Sequence, residues 1–105
     1  MNYREYCAYK IIGFTLGRFS NNDWWFLDGH QFIICRHFNP EELEASAWMV
    51  FEKLVMKYGI TSYISKGGYI CVCTYERPHY VGYGNTLMEA LKEYVVKLME
   101  NENGG

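Results

Sequence analysis

Four cysteines, three histidines and two aspartates hold most of the reactive chemistry in this 105-residue chain. Cys71 and Cys73 stand two apart, which puts both thiols on one face of a strand. Zinc sites use C-x-x-C knuckles or H-x-x-x-H pairs, and the sequence has neither, so these thiols read as core residues. No metal and no cofactor is expected. Cys35 and His37 are also two apart, without a flanking nucleophile motif. A paired-carboxylate hydrolase needs two acids facing each other across a cleft. Asp23 and Asp28 both fall beside an aromatic hairpin, a spacing that gives no such pair. The residues therefore point away from an enzyme.

A different set suits binding. Arg18, Arg36, His37, Arg77 and His79 fall in loops or at strand ends, where they can meet an anion. Trp24, Trp25 and Tyr83 offer rings that stack on planar groups. Asn85 and Thr86 follow Gly82-Tyr83-Gly84 at a helix start, where backbone amides and the helix dipole attract phosphate. No Gly-Lys-Ser/Thr ends that segment, so it is not a P-loop. Together these ten residues predict a pocket for a small anionic, nucleotide-like ligand at a subunit interface of a homo-oligomer. Trp24 and Trp25 are neighbours on a strand and must point to opposite faces, so one indole is expected outside the core. In the alternative reading the same aromatics anchor another protein, with Glu41, Glu42 and Glu44 meeting a basic surface.

Composition sets the limits. Hydrophobic residues make up 50% of the chain, which excludes disorder. Net charge is −2, whereas duplex DNA needs a basic face. No apolar run reaches the roughly 20 residues of a membrane span. The start, Met1-Asn2-Tyr3-Arg4-Glu5, lacks the pattern of a secretion signal, so a cytoplasmic protein with reduced thiols is expected. Aromatic residues reach 18%, more than one small core absorbs, so many rings belong at half-buried edges.

The elements that must position these residues are punctuated by caps and turns. Asn2 to about Ile12 reads as a helix, with Tyr3, Cys7, Ala8, Ile11 and Ile12 at helical spacing and Gly13 or Gly17 as its stop. Ser20-Asn21-Asn22-Asp23 is a turn cluster. Trp24–Leu27 and Gln31–Cys35 form a hairpin around Asp28-Gly29. A second helix opens at Asn39-Pro40 and closes at Gly59, its stripe being Leu43, Ala47, Val50, Phe51, Leu54, Val55 and Tyr58. Thr61–Ser65, Tyr69–Tyr75 and His79–Tyr83 are strands, with turns at Lys66-Gly67-Gly68 and Arg77-Pro78. Tyr69–Tyr75 is apolar on both faces and should be covered on both. Thr86 and Glu89 make a capping box for a last helix from Leu87 to about Glu100. The expected fold is α+β: one three-layer α/β/α sandwich with a mainly antiparallel sheet, in the order α-β-β-α-β-β-β-α. It spans residues 1–100 and leaves 101–105 as a frayed tail.

Three segments make the chain similar to a known family. A helix runs into a Gly-aromatic pair at Tyr9-Lys10-Ile11-Ile12-Gly13-Phe14. A Trp-bearing hairpin follows around Trp24-Trp25. After a Pro-initiated helix and strands comes Gly84-Asn85-Thr86-Leu87-Met88-Glu89-Ala90. In this the chain resembles small bacteriophage proteins with the phage ABA sandwich domain, a group to which NinX-like phage proteins look related in pattern. Tyr69–Glu100 is also similar to the β-β-α half of HicB-type antitoxins, without their acidic catalytic pattern or appended DNA-binding helices. The strand-helix order echoes double-stranded RNA-binding domains, but their basic cluster is replaced here by Met88 and Glu89. The phage resemblance implies an α-β-α sandwich and carries over no catalytic residues. It implies a protein that acts by binding, in host takeover or counter-defence. The expected function is sequestration of a nucleotide-derived signal in the host cytoplasm, or inhibition or assembly of a host protein.

Overall fold

The computed structural model describes residues 1–74 and 80–103. Its element order is α1 (Tyr3–Tyr6), continued by a π-helical turn (Cys7–Ile12), then β1 (Thr15–Phe19), β2 (Asn22–Leu27) and β3 (His30–Ile34). A 3-10 turn (Cys35–His37) leads to α2 (Glu44–Tyr58), β4 (Thr61–Ile64), β5 (Ile70–Cys73), β6 (Val81–Gly84) and α3 (Leu87–Asn103). The fold is α+β. Among the described residues six strands form two separate antiparallel sheets, β1-β2-β3 and β4-β5-β6, where the sequence had suggested one. No helix among the described residues is long and apolar enough to cross a membrane.

The first helix starts where its cap predicts: the Asn2 side chain accepts the Glu5 amide at 2.8 Å. It then widens. The Gly13 amide reaches back five residues to the Ala8 carbonyl at 3.0 Å, and Gly13 closes the turn at φ 90°. In such a widened turn the pairs Cys7–Ala8 and Ile11–Ile12 share one face, and all four are buried. Gly17 is not a stop. It lies inside β1, opposite Trp24, and the Phe26 ring covers the place a side chain would take. β1 is largely solvent-exposed, so it carries no apolar alternation to reveal it.

Two left-handed turns shape the first sheet. Ser20 and Asn21 take φ 50° and 64° between β1 and β2, and Asp28 and Gly29 take 53° and 80° between β2 and β3. Positive φ at both central residues is the hairpin geometry that matches strand twist. Asn22 and Asp23 therefore belong to β2 rather than to the turn. The β2–β3 register shifts after Trp25, pairing Trp25 with Ile33 and Phe26 with Gln31. Phe32 is left as the extra residue of a bulge.

The second helix begins later than Pro40. The Asn39 side chain accepts the Glu41 amide at 3.1 Å, and the Ser46 hydroxyl accepts the Asn39 amide at 3.1 Å. These bonds cap a single turn, Pro40–Glu42, and the helix starts only at Glu44 behind an extended Leu43. The delay rotates the buried stripe. Ser46, Ala47, Val50 and Leu54 are buried, while Leu43 and Val55, expected inside, are about two-fifths exposed. Gly59 ends the helix in the left-handed conformation at φ 65°.

The second sheet carries the main core. Val72 packs with Val50, Leu54, Ala90, Leu91, Tyr94, Val95 and Leu98 from α2 and α3. α3 lies against β6 with no side chain between them. A side-chain carbon at Gly82 would sit 2.5 Å from the Tyr94 amide nitrogen, and closer still to the Ala90 carbonyl oxygen. Cys71, Val72, Cys73 and Thr74 are all buried, with the Val72 face toward α3. Away from α3, Cys71 lies between Tyr63 and Tyr83, each about half exposed. α3 continues three residues past its expected end, to Asn103. The Arg77-Pro78 turn, the end of the expected strand at Tyr75, the start of the next at His79, and the last two residues of the tail fall outside the described residues.

Candidate functional site

The two tryptophans diverge as the strand requires. Trp25 turns inward and is 5% exposed. It stacks on Phe14 at 5.9 Å and meets the edge of Tyr9 at 5.1 Å. Trp24 turns to the other face of the first sheet and is half-buried there, level with Gly17 and Ile34. The indole nitrogens of both find no hydrogen-bond acceptor among the described residues.

On the Trp25 side, an open cleft of about 320 Å³ separates α1 from the first sheet. Trp25 and Tyr9 form its aromatic wall, and Arg4, Glu5, Asp23 and Arg36 supply its charge. The volume lies at the small end of ligand pockets. Arg36 is steadied by a 3.0 Å hydrogen bond to the Asn22 side chain. The Cys35 thiol also lines the cleft. Burial, and then the Asp23 carboxylate, push its pKa up, so it is held as a thiol and gains no nucleophilic activation. Burial likewise pushes the Cys7 thiol up to about 12. Among the described residues no three His, Cys, Asp or Glu side chains converge as metal ligands.

Of the ten residues singled out in the sequence, Trp25 and Arg36 line this cleft. Arg18 is directly opposite Asp23 on the neighbouring strand, beside it. Trp24 faces away, and His37 is exposed at the end of the 3-10 turn. Arg77 and His79 lie outside the described residues. Tyr83, Asn85 and Thr86 belong to the other sheet and its helix. There the capping box is closed: Glu89 accepts the Asn85 amide at 2.7 Å, and Thr86 accepts the Glu89 amide at 3.2 Å. A carboxylate of the chain itself thus occupies the place where a phosphate was expected, and Gly84 serves the close approach of α3. Seven lining residues were not among those ten: Asn2, Arg4, Glu5, Tyr9, Leu16, Asp23 and Cys35. Asn2, Glu5 and Tyr9 recur at three- and four-residue spacing, the polar face of the first helix, and that was the available signal.

The first helix, the Trp hairpin and the glycine-led last helix are the segments that carry the family resemblance. No curated protein and no solved structure matches the chain. The phage ABA sandwich domain matches residues 5–91, well over half of the 105, and the chain belongs to that family.

Proposed function

We propose that this phage protein is a non-catalytic binder whose cleft between α1 and the first sheet captures a small anionic, base-containing molecule. The observation that carries the reading is the meeting of Arg4, Arg36, Tyr9 and Trp25 around one opening. The two guanidiniums suit a phosphate. Glu5 and Asp23 can accept hydrogen bonds from an amino group or a ribose hydroxyl. The volume suits one base-and-phosphate unit. In the sharper version the guest is a nucleotide-derived signal of the infected host, bound in its cytoplasm and withheld from its receptor without turnover.

A second reading rests on the opposite face of the same sheet, where Trp24 and Phe26 are half-buried and Phe19 is more than half exposed. Exposed aromatics of this kind anchor protein partners, here a host protein. Calorimetry of the full chain against mononucleotides, cyclic nucleotides and ADP-ribose tests the first reading. At least one ligand should release heat and raise Tm. Arg36→Ala should weaken it by about 10- to 100-fold, the loss of a charged hydrogen bond. Silence across the panel refutes small-molecule capture. A stoichiometric host partner lost on Trp24→Ala would then carry the second reading.

A further inference from the structure

Edge strands invite pairing with other chains, and proteins guard them with charges, bulges or covering groups. Three of the four sheet edges here have such a guard. β1 carries Arg18, and β3 carries the bulge at Phe32. On β6, the Thr74 amide donates to the Tyr80 carbonyl at 3.2 Å. Strand alternation then turns Val81 outward, and the Lys97 ammonium takes its carbonyl.

Among the described residues β4 has no guard of this kind. Its residues, Thr61-Ser62-Tyr63-Ile64, include no charge and no proline, and its register with β5 is unbroken. Tyr63 is 46% exposed and Ile64 75%. Which backbone groups are open follows from the hairpin. The Ser65 amide donates to the Tyr69 carbonyl at 2.7 Å, so Ser65 faces β5. Tyr63 and Thr61 face it too, and Ser62 and Ile64 turn their amides and carbonyls to the open edge.

We propose that this edge pairs with the same edge of a second copy, antiparallel about a twofold axis at Tyr63, to make one six-stranded sheet. Ser62 exchanges both hydrogen bonds with the partner's Ile64, and Ile64 does the same with the partner's Ser62. Tyr63 meets the partner's Tyr63 in the close, non-hydrogen-bonded pair, an arrangement that favours aromatic side chains. The axis sets position 63 against its own copy, where a charge would meet a like charge; Tyr63 carries none, and the two open residues beside it, Ser62 and Ile64, become each other's partners under the same axis. The occupant is therefore this chain itself. The inference does not depend on the cleft.

Sedimentation equilibrium and disulfide trapping of the full chain test it. So short a strand pair gives a small interface, with a Kd of about 1–100 µM. Tyr63→Lys puts two ammonium groups face to face and should leave a folded monomer, its fold checked by circular dichroism. In a Cys35→Ser, Cys71→Ala background, which removes the thiol across from position 63 in the same chain, Tyr63→Cys should cross-link two chains on mild oxidation, because paired Cβ atoms there approach disulfide range. Ile64→Cys, offset by two residues from its own copy, should not. A chain that stays monomeric at about 1 mM, a dimer indifferent to Tyr63→Lys, or equal cross-linking at both positions overturns the proposal.

Discussion

The first sheet buries one large indole against the rest of the molecule, whereas the second sets two glycines directly against a helix. Trp25 packs on Tyr9 and Phe14 and is the buried residue of the first sheet, with Leu27, Ile33 and Phe32 making lesser contacts with the core. In the second, Gly82 and Gly84 bring the β6 backbone directly against α3. Both sheets are antiparallel meanders of three strands. One is anchored by bulk and the other by its absence, so one should suffer most from truncation and the other from enlargement. Space remains between the first sheet and α1 beside Trp25, and that space is the cleft.

Removing the anchor gives the largest expected effect. Trp25→Ala should cost about 3–5 kcal/mol, the range for emptying a buried aromatic site, read from urea unfolding. A loss below about 1 kcal/mol would mean the first sheet is held elsewhere and the contrast is false. Gly82→Ala comes next, at about 3 kcal/mol. The added carbon meets backbone atoms of Ala90 and Tyr94, which cannot swing aside as a flexible side chain can. A neutral outcome by thermal unfolding would mean that α3 does not rest directly on β6. Thr86→Ala is the mildest, at about 1 kcal/mol for a lost N-cap, and it should leave nucleotide binding unchanged if the ligand occupies the distant cleft. Weakened binding by calorimetry would return the phosphate site to α3.

Much of the fold was readable where local chemistry acts alone. Asn2, Gly13, Gly59 and the Thr86–Glu89 box mark helix ends through bonds within a few residues. The stripe of α3, with Ala90, Leu91, Tyr94, Val95 and Leu98 buried, follows its period. What failed depended on neighbours. β1 was hidden because a glycine inside a strand looks like a stop until Phe26 is seen lying over it. Asn39 caps a turn rather than a helix because Ser46 takes its amide from seven residues away. In the cleft, Trp25 and Arg36 were legible as types able to hold a ligand. Arg4, Glu5, Tyr9 and Asp23 were not, because their convergence depends on how the first helix lies across the sheet.

Among the described residues every strand pairs only with its neighbour in sequence. Such hairpin-by-hairpin pairing keeps the chain closures of each sheet short, and short closures lose little entropy before contacts form. Each sheet can therefore assemble while the other is still being synthesised. Early pairing of this kind shortens the time the chain's many aromatics spend open to off-pathway clumping, with speed of acquisition built into the connectivity itself.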